Sequence, residues 1–88
     1  MRHMTHSAIT KRLRRANGHL RTIITMIETG DPCLEIAQQL EAVEKAILNA
    51  KKTLIHDHID HCLEQSFGAS KPKLRAALRE FKAITKYL

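Results

Sequence analysis

The stretch between Pro32 and Gly68 contains neither proline nor glycine, and this constrains the fold more than any other feature. Asp31 and Pro32 suit the N-cap and the first position of a helix, and Gly68 is the next residue that favours a helix end. The sequence therefore predicts one helix of about 36 residues, roughly 54 Å long. Helices of globular proteins average about a third of that length, so partner helices are needed to cover it.

The apolar residues of this helix predict where the partners pack. Their spacing alternates between four and three residues, which gives a heptad-like seam: Ile36, Leu40, Val43, Ile47, Ala50 and Leu54. A chain of 88 residues buries only a modest core, and small domains often add stability by oligomerising. We therefore expect the seam to pair with a second copy of the chain.

Two shorter helices are predicted on either side. The first runs from about Ser7 to Thr29, ends at Gly30, and is interrupted by Gly18, which suggests a close neighbour there. Its apolar stripe is Leu13, Ala16, Leu20, Ile23, Ile24 and Ile27. Ser70 is expected to cap the third helix, whose apolar stripe is Leu74, Leu78, Phe81, Ile84 and Leu88.

The predicted fold class is all-α, with three helices in a single domain (1–88). The first six residues of this domain (1–6) are predicted to be a flexible tail. Only three glycines, two prolines and 3% aromatic residues support that class. No apolar stretch is long enough to span a membrane, and the N-terminus lacks the apolar core of a signal peptide. We therefore expect a cytoplasmic protein with reduced thiols.

Cys33, His58 and Cys62 form the pattern that carries chemistry. His58 and Cys62 are four residues apart, so they share one helix face and can bind one transition metal. Cys33 lies in the first helical turn, where the helix dipole favours the thiolate that binds metals. It is 25 residues before His58, however, which is roughly 37 Å along a continuous helix. The spacing predicts a metal site shared across an antiparallel homodimer.

The remaining histidines divide into three groups. His61 could join the site because it is three residues from His58, although a surface position, which we also expect for His56, is the simpler interpretation. His3 and His6 of the tail could fold over a bound metal and supply a fourth donor. His19 is interpreted as structural or as facing DNA. The three donors of Cys33, His58 and Cys62 suit Cu(I), and the same donors with a fourth nitrogen would suit Ni(II), Co(II) or Zn(II).

The positive charge is concentrated in the first 27 residues. They hold six basic side chains and no acid, whereas the rest of the chain is formally neutral. The six are Arg2, Lys11, Arg12, Arg14, Arg15 and Arg21. A solvated helix face usually mixes charge signs, so a segment of one sign favours nucleic acid as the partner. Lys45, Lys51 and Lys52 could assist from the central helix.

Four segments in order resemble the copper-sensitive operon repressor family, which also includes nickel and cobalt sensors. They are residues 12–20 (RLRRANGHL), residues 30–33 (GDPC), residues 38–43 (QQLEAV) and residues 58–62 (HIDHC), with the Cys, His, Cys spacing as the specific part. The resemblance covers nearly the whole chain. It implies antiparallel dimers with a four-helix bundle, dimers that pair into a tetramer, and metal ligands at Cys33, His58 and Cys62. It also implies a carboxylate at Glu80 that orients a ligand, and DNA contacts by Arg12 and Arg14.

The predicted function is a metal-responsive transcriptional repressor. The apo protein would bind double-stranded operator DNA, and metal would release it and derepress an efflux gene. Ni(II) or Co(II) is slightly favoured over Cu(I), because Pro32 replaces the neighbour typical of copper sensors and the tail carries histidines. A metal chaperone or storage protein and a thiol redox sensor are the alternatives. An enzyme is not expected, and neither is a small organic substrate.

Overall fold

Three helices make up the computed structural model, which describes the backbone of residues 4–88 and all their side chains except those of residues 4, 5, 65 and 66. They are α1 (Met4–Glu28), α2 (Cys33–Ser66) and α3 (Lys71–Thr85). The described part of the chain contains no strand, so the predicted all-α class is confirmed.

The helix bounds correct the prediction at two ends. The first helix starts at Met4, so residues 4–6, which were predicted to belong to a flexible tail, are helical. The third helix ends at Thr85 rather than at Leu88. The central helix has 34 residues and no break.

A tight turn at Gly30 joins α1 to α2. Gly30 has a φ of 75°, in the left-handed region that glycine adopts without strain. Its N–H donates to the carbonyl of Ile27 (3.2 Å), and the N–H of Asp31 donates to the carbonyl of Met26 (2.9 Å). These two bonds form a Schellman motif, which satisfies carbonyls that the helix end would leave unpaired. The predicted end of the first helix at this glycine is therefore confirmed.

The chain divides into two compact units, one ending at Lys51 and one running from Lys52 to Leu88. In the first unit, α1 and the first part of α2 form the core. Ala16, Ile23 and Val43 are its buried centre, and Leu20, Ile36 and Ala46 pack against it. A hydrogen bond between His19 Nε2 and Gln39 Oε1 also joins the two helices.

The predicted seam of α2 separates into two rows. The inner row (Ile36, Val43, Ala50) is buried or half-buried, with Val43 at 3% exposure. The outer row (Leu40, Ile47, Leu54) is 42–45% exposed in the single chain. Within a single chain, only half of the seam residues are therefore covered by neighbouring side chains.

The second unit contains the rest of α2 and all of α3. Among its described side chains, Ile55 and Cys62 are buried, whereas α3 has no buried residue. Ser70 occupies the N-cap position of α3 but makes no capping side-chain hydrogen bond, and proline follows in the first turn. The predicted inner stripe of α3 is therefore only partly covered, since Leu78 is 52% exposed.

The sequence also predicted a close neighbour at Gly18 and no segment long and apolar enough to span a membrane. Apart from the backbone of α1 itself, no atom of the described residues lies within 4 Å of a Cβ placed at Gly18, so these residues do not supply the close neighbour predicted there. Among the described residues, no helix combines the length and the apolar character that a membrane crossing requires.

Candidate metal centre

His58 and Cys62 lie side by side on α2, as their four-residue spacing predicts. The Sγ atom of Cys62 is 3.4 Å from Nε2 of His58. Cys62 is buried at 6% exposure, and His58 is half-buried. Helix geometry alone therefore brings together one sulfur and one nitrogen donor.

Glu80 of α3 adds a carboxylate to this pair. It is the only acidic residue of that helix, and its Oε2 atom is 3.7 Å from the same Nε2 of His58. One donor atom from each of His58, Cys62 and Glu80 can be chosen so that all lie within 4.8 Å of one another. The three residues belong to the second unit, and they are the only such group of three among the described residues.

The distances between these donors fit one metal ion. Tetrahedral bonds of about 2.0–2.1 Å to nitrogen and about 2.3 Å to sulfur place the two donors about 3.5 Å apart. A nitrogen and a carboxylate oxygen bound in the same way are about 3.4 Å apart. The observed 3.4 Å and 3.7 Å lie close to these separations. The donor set of imidazole, thiol and carboxylate therefore fits a borderline transition metal.

The environment of Cys62 makes its thiolate costly without a cation. Burial raises the pKa of the Cys62 thiol, and the nearby negative charge of Glu80 raises it further. A metal must displace the proton to bind the sulfur, so protons and metal compete for this side chain. A divalent ion between Cys62 and Glu80 would also offset the repulsion between the two anions.

An open hollow of about 460 Å³ gives access to the centre. It is lined by Cys62, Lys73, Ala76, Ala77 and Glu80. The Glu80 side chain is 64% exposed, whereas that of His58 is 28% exposed. Solvent therefore reaches the centre from the side of the carboxylate.

Among the described residues, the other predicted ligands are not part of this cluster. Cys33 is the first residue of α2 and is exposed, in an open and mainly apolar hollow of the first unit. His61 is half-buried and is not one of the three clustered residues. His6 is exposed on α1, and His3 lies outside the described residues.

The predicted DNA-binding side chains are all accessible. Every one is exposed: Lys11, Arg12, Arg14, Arg15 and Arg21 on α1, and Lys51 and Lys52 on α2. Lys11, Arg14 and Arg15 follow an i, i+3, i+4 pattern, so they share one face of α1. The buried residues Ile9 and Ala16 of α1 repeat every seven residues and mark its opposite side. The basic face therefore points away from the core of the first unit.

Sequence reasoning missed one polar contact of this unit. Oε1 of Gln39 accepts a hydrogen bond from Nε2 of His19, and His19 lines a hollow of about 290 Å³ with Arg12, Arg15 and Asn49. A single glutamine within a helix carries no pattern that would reveal such a partner. The interpretation of His19 as structural agrees with this contact.

Comparisons with known proteins identify relatives over nearly the whole chain. The profile of the family described as "Metal-sensitive transcriptional repressor" matches residues 5–87. The chain is 35% identical over 80 residues to the copper-sensing transcriptional repressor CsoR of Bacillus subtilis (strain 168), which covers 89% of this chain and 79% of that protein. It is 33% identical over 73 residues to the copper-sensing transcriptional repressor RicR of Mycobacterium tuberculosis (strain ATCC 25618 / H37Rv), covering 83% of this chain and 76% of that one.

A solved structure shows the same fold. The structure titled "The nickel-responsive transcriptional regulator InrS" superposes with a TM-score of 0.80 at 26% identity, over 93% of this chain and 91% of the other. The named relatives thus include both copper-sensing and nickel-responsive proteins.

Proposed function

The chain belongs to the metal-sensitive transcriptional repressor family, and on that premise we propose that it binds operator DNA without metal and releases it when a transition metal binds. The family is one of repressors rather than enzymes, so binding and release constitute the activity. The convergence of donor atoms from His58, Cys62 and Glu80 is the observation that carries this proposal.

Cys33 of a second copy would complete the metal site. The central helix is continuous from Cys33 to Ser66, and residues 25 positions apart in such a helix are separated by roughly 37 Å. A site that contains Cys33, His58 and Cys62 must therefore take Cys33 from another chain. An antiparallel pair of central helices satisfies this requirement at both ends.

The outer row of α2 supplies a surface for that pairing. Leu40, Ile47 and Leu54 recur every seven residues and are 42–45% exposed. Burying apolar area stabilises association by about 25 cal/mol per Å², and a heptad repeat is the pattern by which long helices pair. We propose that two copies pack along this row into a dimer with a four-helix bundle, and that dimers pair further into a tetramer.

Metal selectivity follows from the number of donors. Two sulfurs and one nitrogen suit Cu(I), whereas Ni(II) and Co(II) require further nitrogen or oxygen donors. We propose a divalent ion, Ni(II) or Co(II), as the cognate metal, with Cu(I) as the alternative that the copper-sensing relatives favour. His3 and His6 are the sequence-derived candidates for the additional donor.

The basic face of α1 would hold the DNA backbone. Its side chains are exposed, and the first 27 residues contain no acid that would neutralise them. Phosphate contacts by Lys and Arg provide most of the affinity for duplex DNA. By reciprocity, if metal weakens DNA binding by some factor, DNA must weaken metal binding by the same factor.

A metal titration tests the repressor function. Operator duplexes would first be selected by the reduced apo protein from a random library. Fluorescence anisotropy should then show that DNA affinity falls by about 5- to 150-fold, the usual range of allosteric coupling, on adding one Ni(II), Co(II) or Cu(I) per chain. Unchanged affinity with all three metals, in a protein that has bound them, would refute the proposal.

The outer row is tested by introducing a charge. We expect Ile47→Glu to shift the protein towards monomer in sedimentation velocity, because a buried carboxylate at a helix seam carries a large desolvation penalty. Ala42→Glu is the matched control, since Ala42 is exposed on the opposite side of α2. Equal assembly of both variants would show that the row does not form the interface.

A further inference from the structure

We propose that Glu44 and Lys51 of α2 form ion pairs between two copies of the chain and thereby determine the register in which the two central helices pair. This inference rests on the proposed function, because it concerns the same antiparallel dimer. It also gives Lys51 a role that differs from the DNA contact predicted from the sequence.

Neither charge has an opposite charge within reach on its own helix. Charged side chains on one helix pair when they are three or four residues apart, as Glu41 and Lys45 do at 3.6 Å. At those positions around Glu44 and Lys51 the chain has only leucine, isoleucine and another glutamate. Both side chains are exposed, and neither forms an ion pair among the residues whose side chains the structure describes. Each charge is therefore available to a second molecule.

Both charges lie beside the outer row of α2. With the leucines and the isoleucine of that row at position a of a heptad, Glu44 and Lys51 occupy position e. At roughly 100° per residue, an e side chain lies roughly 40–60° from the row, on the side away from the inner row. When two helices pair antiparallel about a twofold axis, the e positions of both lie on the same side of the seam. They can therefore contact each other across it.

The outer row has a natural centre at Ile47, because Leu40 and Leu54 lie seven residues before and after it. A twofold axis at Ile47 therefore packs the row against itself, with Leu40 of one copy facing Leu54 of the other. In this register, Glu44 lies within roughly 1.5 Å, along the helix axis, of Lys51 of the second copy. Symmetry repeats the contact, so each dimer contains two such pairs.

The metal donors require the same register. Cys33 lies 14 residues before Ile47, whereas His58 and Cys62 lie 11 and 15 residues after it. With the axis at Ile47, Cys33 of one copy is within about 5 Å, along the helix axis, of both donors of the other. The apolar row, the two charges and the metal donors thus favour one register independently.

The same charges disfavour the neighbouring registers. A shift by one heptad still places apolar residues of the row opposite each other, so the row alone does not exclude it. In one direction the shift brings Glu44 to the level of Glu44 of the second copy, and in the other it brings Lys51 to the level of Lys51, each to within roughly 1.5 Å. Like charges at such contacts repel, which leaves the register centred on Ile47 as the favoured one.

A charge swap in the full-length, reduced, metal-free protein tests the inference. We expect Glu44→Lys and Lys51→Glu each to raise the subunit dissociation constant at least about fivefold at low salt, because each turns both attractive contacts of a dimer into repulsive ones. The double variant restores opposite charges, so its constant should return to within about twofold of the parent value. Sedimentation equilibrium measures all three. Lys52→Glu makes the same charge change at an exposed position on the far side of α2 and should leave assembly unchanged.

Cross-linking at the seam reports the register itself. In a chain with Cys33→Ala and Cys62→Ala, a short bismaleimide should link Ile47→Cys to its copy, because residue 47 lies at the axis. Leu40→Cys is the matched position of the same row, with 45% exposure against 44%. It should not link to its copy, since the two residues would be roughly 21 Å apart along the helix axis.

Three results would overturn the inference: single reversals that leave assembly unchanged, a double variant that fails to restore it, or a cross-link through residue 40 in place of residue 47. Because Glu44 and Lys51 are exposed, their variants should fold, and far-UV circular dichroism checks this. No measurement uses DNA. If the double variant restores assembly while metal fails to release DNA, the register stands and the proposed function fails.

Discussion

Replacing Cys62 by serine should abolish the metal response while leaving the apo protein bound to DNA. The thiolate of Cys62 is the buried donor of the candidate centre, with Nε2 of His58 only 3.4 Å away. Changes to groups that merely orient a ligand cost about 10- to 100-fold in metal affinity. Loss of the thiolate itself should therefore cost at least about 100-fold, for Co(II) and for Cu(I) alike. Chelator competition and DNA anisotropy measure the two effects in the same samples.

The control for this substitution is stability, because serine places a hydroxyl in a buried position. An unpaired buried hydroxyl costs about 1–3 kcal/mol, so thermal unfolding of the apo variant must be compared with that of the parent. Cys33→Ser provides a second comparison, since Cys33 is exposed and its loss should leave apo stability unchanged. Metal-dependent release of DNA by Cys62→Ser would show that the site lies elsewhere.

Removing the shared basic face of α1 should have the second large effect. The triple substitution of Lys11, Arg14 and Arg15 by alanine should lower operator affinity at least about 100-fold near 0.1 M salt. Each lost phosphate contact should also reduce the slope of log affinity against log salt by about 0.9, so the slope should fall by nearly 3 for each chain in contact. Metal affinity in the absence of DNA should not change.

The matched control removes the same charge from another helix. Lys71, Arg75 and Lys82 of α3 are exposed and can be replaced by alanine together. If DNA is held by α1, this variant should keep a salt slope close to that of the parent. Equal losses in both triple variants would mean that only net charge matters, and the assignment of the DNA face to α1 would be wrong.

Local patterns explain why the helices could be predicted from the sequence. Gly30 ends α1 because its left-handed conformation completes a Schellman motif, and the absence of proline and glycine after Pro32 allows α2 to continue to Ser66. These signals act over a few residues. No comparable signal marks the start of α1 at Met4, and the prediction placed this start three residues too late, at Ser7.

Burial was harder to predict because it depends on which neighbour covers each face. The heptad pattern placed Leu54 in the seam, yet Leu54 is 42% exposed and the next residue, Ile55, is 2% exposed. The seven-residue spacing of Val43 and Ala50 is thus broken at Ile55, close to the point where the chain divides into its two units. A regular spacing of apolar residues cannot show at which point along a helix its packing partner changes.

The metal centre was likewise predictable only where a spacing along one helix determines which residues lie close together. His58 and Cys62 were identified from their spacing on one helix, which fixes their proximity. Glu80 came only from the family resemblance, because its approach to His58 depends on how α3 packs and no local spacing encodes that packing. In the structure, the Glu80 carboxylate lies 3.7 Å from Nε2 of His58.

The continuous helix α2 has a genetic consequence. In the proposed antiparallel pair, each chain gives Cys33 to one site and His58 with Cys62 to the other, so twofold symmetry produces two sites per dimer. A chain that lacks Cys33 and a chain that lacks His58 are each inactive in pure dimers. When the two are expressed together, their mixed dimers contain one intact site. Two defective alleles of this gene should therefore complement each other, which alleles damaged at the same end of the helix cannot do.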